Sequence, residues 1–95
     1  MIIVQDTFVC KPGNASKLAK LFKEVMGGQK DLVNIMTDVT GQFNRVVVVT
    51  KHEDLAAYDK SWETMNEADK KKMQEKMAGY TELYQSGSRE IFKVW

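Results

Sequence analysis

The sequence predicts an α+β sandwich, one four-stranded antiparallel sheet with helices on a single face, in the order strand, helix, strand, strand, helical pair, strand. Three observations carry it. Apolar runs of strand character stand at both ends of the chain and in its middle, and two stretches between them have helical period. The third is Phe43 to Thr50, which carries four consecutive valines, Val46 to Val49. Successive side chains on a strand point to opposite faces, so two valines fall on each. A strand with one wet face alternates apolar and polar residues, and this one does not. Both of its faces need cover.

Ninety-five residues make one domain over 1–95, with room for one core. At 43% hydrophobic and 28% charged residues the chain has the composition of a folded protein. Fourteen basic against thirteen acidic residues leave a formal charge of +1, without the basic excess that nucleic-acid binding wants. Cys10 is alone, so there is no internal disulfide, and no Cys/His set has metal-ligand spacing; no bound metal or cofactor is expected. No apolar run approaches the roughly 18 residues of a membrane span. Asp6 interrupts the N-terminus before a signal-peptide apolar region can develop. A cytoplasmic protein with no membrane partner is the expectation.

Ile2 to Cys10 reads as the first strand, with Asp6 interrupting an apolar face of Ile2, Val4, Phe8 and Cys10. Lys11-Pro12-Gly13-Asn14 is a turn, and Asn14 can cap the helix that begins after it. Ala15 to Met26 is that amphipathic helix, with Leu18, Leu21, Phe22, Val25 and Met26 on one stripe, ended by Gly27-Gly28. Asp31 to Val39 is the second strand, and Thr40-Gly41-Gln42 joins it by a hairpin to the valine strand. From Glu53 to Leu83 the pattern is helical, with a break expected at Thr64 to Asn66. Gln85-Ser86-Gly87-Ser88 reads as a turn and Arg89 to Trp95 as the last strand. A βαββαβ order is that of the ferredoxin-like sandwich.

In such a sandwich the helices cover one face of the sheet. Whichever parity points at the helices, two valines and either Ile3 and Val9 or Ile2, Val4, Phe8 and Cys10 remain on the other. That patch exceeds what monomers usually leave bare. A homodimer closed sheet to sheet is the expectation, with a sticky monomer as the alternative.

The chain resembles the dimeric α/β-barrel superfamily, and within it the antibiotic-biosynthesis-monooxygenase-like and NIPSNAP-like small proteins. The resemblance rests on Phe8-Val9-Cys10-Lys11-Pro12-Gly13 before the first helix, Arg45-Val46-Val47-Val48-Val49, Leu55-Ala56-Ala57-Tyr58-Asp59-Lys60-Ser61-Trp62, and Glu90-Ile91-Phe92-Lys93-Val94-Trp95. It implies a pocket between sheet and helices. It also implies cofactor-independent, monooxygenase-like or isomerase-like chemistry on a small apolar or aromatic molecule. The alternative is a non-catalytic small-molecule-binding or regulatory module of the same fold. The haem-degrading relatives use an Asn on the first strand and a His after the tryptophan. Here the strand offers Gln5 and Thr7, and no histidine follows Trp62.

His52 is the sole imidazole, readable as a base at the mouth of a pocket or as a surface residue in a strand-to-helix turn. Tyr58, Trp62, Tyr80 and Tyr84, with Met65, Met73 and Met77, share the inner stripe of the helical pair. They suit a flat apolar ligand, and equally a plain core. Asn34 and Asp38 share one face of the second strand and would fix a ligand if that face meets the helices. Cys10 reads as a small buried hydrophobe and Lys70-Lys71-Lys72 as a solvated helix face.

Overall fold

The computed structural model describes residues 1–63 and 67–95, the side chains of 67–69 excepted. Along the chain stand β1 (Ile2–Cys10), α1 (Ala15–Met26), β2 (Leu32–Thr37), β3 (Arg45–His52), α2 (Leu55–Glu63), α3 (Glu67–Lys76), a single 3-10 turn (Tyr80–Glu82) and β4 (Tyr84–Lys93). The strands pair antiparallel in the order β2-β3-β1-β4, which is the ferredoxin-like sheet that the element order predicts. The expected break at Thr64 to Asn66 lies outside the described residues. Among those described, no helix is long and apolar enough to cross a membrane.

The valine strand sits inside the sheet, between β1 and β2. Val46 and Val48 point at the helices, 0% and 3% exposed, and Val47 and Val49 point the other way. Leu18 and Phe22 of α1, one turn apart, pack on them at 0% and 5% exposure and complete a core with Val4 and Cys10. Phe8 joins this core from β1, its ring 5.1 Å from Phe22 and 5.0 Å from Tyr84.

The ends of the elements correct the sequence reading in several places. Asn14 caps α1 through its carbonyl, which accepts the Leu18 N–H at 3.0 Å, while its side chain makes no capping bond. Gly27 keeps right-handed helical geometry at φ −60° and donates to Lys23 O, so it extends the last turn rather than reversing it. The β2–β3 connection is longer than a tight hairpin. Asp38 leaves the strand because its Oδ1 accepts the Arg45 N–H at 2.8 Å, and Gly41 (φ 104°) and Asn44 (φ 64°) turn the chain in left-handed geometry. Phe43 therefore lies in the loop, 84% exposed, and β3 runs on to His52, opposite Ile2.

Gln85 to Ser88 is strand, not turn: Ser86, Gly87 and Ser88 pair with Val9, Phe8 and Thr7. A side chain at Gly87 would meet the Phe8 ring at 3.5 Å, so Phe8 covers the stretch that Gly and Ser leave bare. The true reversal comes earlier, at Gly79 (φ 79°) and the 3-10 turn after it. Tyr84 is accordingly a strand residue opposite Cys10, and β4 stops at Lys93, with the Val94 N–H bonded to Met1 O at 3.0 Å.

This core makes two outcomes testable. Leu18→Ala, which empties its best-packed position, should cost about 3 kcal/mol, read as a lowered urea midpoint at unchanged slope. Burial holds the Cys10 thiol above its ordinary pKa, so the fold favours the neutral form. Its contribution is full below the ordinary thiol pKa and falls as pH rises through and above it. Iodoacetamide at pH 8.5 should alkylate Cys10 about a hundredfold slower in native protein than in urea, since opening is needed for attack.

Candidate functional site

The helix side of the sheet divides into two regions. Where α1 and the 3-10 turn cover it, Phe8, Phe22, Met77, Tyr80 and Tyr84 pack into the core. The Tyr80 and Tyr84 rings lie 5.7 Å apart, and burial with a Tyr80 hydrogen bond holds the Tyr84 hydroxyl above its ordinary pKa. Met77 and Tyr80, expected to line a ligand site, serve here as packing.

The second region lies under α2. That helix starts two residues beyond the end of β3, with Asp54 accepting the Ala57 N–H at 2.8 Å in its first turn. So short a connection holds α2 against β3. Tyr58 is the residue through which it reaches the sheet. Its ring meets His52 edge-on at 4.9 Å and Trp62, one turn on, at 6.2 Å. The Arg89 guanidinium carbon lies 5.9 Å from the centre of the same ring.

Arg89 of β4 stands opposite Asp6 of β1, and the two are joined by Nε to Oδ1 at 2.6 Å and Nη2 to Oδ2 at 3.3 Å. The break that Asp6 makes in an apolar face is thus one half of an ion pair. The Asp6 hydrogen bond raises the Arg89 pKa against the opposing effect of burial, so the guanidinium keeps its charge beside the carboxylate. The acid in the greasy strand was the one sequence signal of this pair, and nothing marked Arg89 as its mate.

His52 is neither at a pocket mouth nor on the surface. It is the last residue of β3, 8% exposed, with Nε2 3.1 Å from Thr50 Oγ1 and Nδ1 3.8 Å from Asp31 Oδ2. Its visible task is to brace Tyr58 from below. The fold therefore brings His52, Tyr58 and Trp62 together and separates them from Met77 and Tyr80. Asn34 faces away from the helices, opposite Val49, because Ile35 and Thr37 are the residues paired with Val48 and Val46. Asp38 holds the start of β3, its carboxylate also 3.7 Å from Arg45 Nε. Met65 lies outside the described residues.

Two features give the α2 region the character of a site. Its apolar walls are not closed: Leu55 and Trp62 of α2 are 60% and 54% exposed, and Ile91 of β4, on the helix side opposite Val4, is 44% exposed. At its inner end the Tyr58 hydroxyl oxygen is buried and, among the described residues, has no hydrogen-bond partner. A shallow depression lined by Gly13, Ser16, Asp38 and Phe43 lies at the opposite end of the sheet, away from these aromatics. Among the described residues no cluster of three His, Cys, Asp or Glu could hold a metal ion.

No protein-family model matches the sequence, and no curated protein matches it at a significant level. Solved structures do share its fold. An uncharacterized NIPSNAP domain protein from Burkholderia xenovorans superposes with a TM-score of 0.81 at 13% identity, over 100% of this chain and 95% of that one. A NIPSNAP family protein from Agrobacterium tumefaciens gives 0.80 at 14% identity, over 97% and 90%. An antibiotic biosynthesis monooxygenase gives 0.61 at 16% identity, over 100% and 99%. The resemblance drawn from the sequence holds, as a likeness of fold.

An unpartnered buried hydroxyl costs stability in the empty protein. Tyr58→Phe should therefore leave the fold as stable or raise it by up to about 1 kcal/mol, read by urea unfolding. A loss of more than that would mean that the hydroxyl has a partner in solution.

Proposed function

We propose that the recess beneath α2 binds a flat, uncharged apolar or aromatic molecule bearing one hydroxyl or carbonyl oxygen, which meets the Tyr58 hydroxyl. The carrying observation is that buried, unpartnered hydroxyl at the inner end of walls built from exposed apolar side chains. Leu55, Trp62 and Ile91 supply area, and the indole supplies a face for stacking. A neutral ligand suits the charge of the place. An anion drawn to Arg89 meets Asp6 at once, whereas a neutral oxygen can take an Arg89 N–H that the carboxylate leaves free.

A non-catalytic binding module is the reading the geometry favours, because His52 is screened from the recess by Tyr58 and hydrogen-bonded to Thr50. The second reading is cofactor-independent, monooxygenase-like or isomerase-like turnover with His52 as the base. The monooxygenase among the similar folds supports it, as does the contact between the only imidazole and the only buried free hydroxyl among the described residues. In either case we propose that the protein works as a homodimer. The sheet face away from the helices carries Ile3, Val9, Val47, Val49, Met36 and Phe92, an apolar surface that a second copy would bury.

Trp62 reports occupancy directly. In a Trp95→Phe background, which removes the fully exposed second indole, 1-naphthol should quench Trp62 saturably, and 1-naphthoate should bind more weakly. Tyr58→Phe should weaken naphthol about fivefold, the net worth of one hydrogen bond, and leave naphthalene unchanged. Absence of saturable quenching by either compound would sink the site. Oxidation or isomerisation of a bound aromatic that survives His52→Ala would remove the catalytic role from that residue.

A further inference from the structure

The pattern of side chains on the helix-free face fixes more than the presence of a second copy. That face carries Met36 and Asn34 on β2, Val47, Val49 and Lys51 on β3, Ile3, Gln5, Thr7 and Val9 on β1, and Ser88, Glu90 and Phe92 on β4. Across the strands these fall into register rows: Met36-Val47-Thr7-Ser88, then Asn34-Val49-Gln5-Glu90, then Lys51-Ile3-Phe92. Apart from Val9, which stands off in the row Arg45-Val9-Ser86, the apolar residues form a diagonal band, from Met36 and Val47 at one corner through Val49 and Ile3 to Phe92 at the other. Polar side chains flank it: Thr7 and Glu90 on one side, Asn34 and Lys51 on the other.

The flanks match. With strands about 4.8 Å apart and alternate residues about 6.8 Å apart, Glu90 and Lys51 sit level along the band, each roughly 6 Å from its midline. Thr7 and Asn34 form a second such pair by the same spacings, and Gln5 lies about 2 Å from the midline. Glu90 and Lys51 are both exposed, and the remaining cation of the face, Arg45, is already paired with Asp38.

Resting on the reading that a second copy covers this face, we infer that the two-fold axis of the dimer runs along the apolar band. A rotation about that line lays band on band and exchanges the flanks. Glu90 then meets Lys51 of the second copy, Thr7 meets Asn34 of the second copy, and the two Gln5 amides face each other near the axis. An axis across the middle of the band also lays band on band, but by the same spacings it sets Glu90 against Thr7 of the second copy and Lys51 against Asn34 of the second copy, so neither charge meets an opposite one. Opposite charges meeting across the interface favour the axis along the band over one that leaves both charges facing neutral side chains. Asn34, which has no place in the recess under α2, acquires one here.

Charge exchange tests the axis, with sedimentation equilibrium from about 1 to 100 μM as the readout. Lys51→Glu and Glu90→Lys should each weaken the dimer about tenfold, because the symmetry places two like-charge contacts in every dimer. The double variant should return to within about threefold of the original. Both positions are exposed, so circular dichroism should report the same fold throughout. A dimer indifferent to both single changes, or a double variant no tighter than the singles, overturns the axis while leaving the dimer standing. A wild-type chain that stays monomeric overturns the dimer itself, and the axis with it.

Discussion

The constraint on which the molecule depends is the double-sided burial demanded by β3. Val46 and Val48 are almost fully covered by α1 and the neighbouring strands, and that packing settles the parity of the whole sheet. Once those two face the helices, Val47 and Val49 must face away. Register then places every other strand residue: Phe8 and Val4 inward, Ile3 and Val9 outward, Thr37 inward, Asn34 outward. Burying a few aliphatic side chains is worth roughly 2 kcal/mol apiece. A one-residue slip would forfeit most of that at once.

The same constraint makes the candidate site. Helix α1 is committed to the valines and the 3-10 turn to β4 beside Tyr84, while α2 is tied by its short link to the end of β3. One helix tied there cannot reach across to β4. The gap is spanned by Tyr58, held between the buried His52 on one strand and the Arg89–Asp6 pair on the next two. Ile91 and Trp62, apolar by nature, stay open beside it. The Tyr58 hydroxyl, among the described residues, has no hydrogen-bond partner. Open apolar side chains beside that buried hydroxyl are the basis on which a binding recess is proposed there.

Charge is handled by pairing. Asp6 with Arg89 and Lys76 with Glu24 join separate elements, and Asp38 with Arg45 ties the β2–β3 loop to the start of β3. The exposed Lys76 pair contributes little to stability. Asp6 is different, because it stands among apolar neighbours on the core side and needs its cation there. Under the proposed reading, Asp6 leaves Arg89 to act on a ligand as a hydrogen-bond donor rather than as a free cation.

Local pattern along the chain was enough for the element order, for β1 and α1 to the residue, for the buried character of Cys10 and Leu18, and for the existence of a second apolar sheet face. These rest on periodicity and on a valine run that has one physical reading. The remainder came from the folded molecule. The strand identity of Gln85 to Ser88 depended on Phe8 lying across a glycine 79 positions further along, which no local turn propensity can report. The same is true of the site: an inner helical stripe looks alike whether it is sealed or open. Burial set His52 beneath Tyr58, register turned Asn34 away, and a pairing across 83 positions of chain brought Arg89 beside Tyr58. Contacts between distant residues, and the parity that the valines impose on them, are properties of the folded sheet alone.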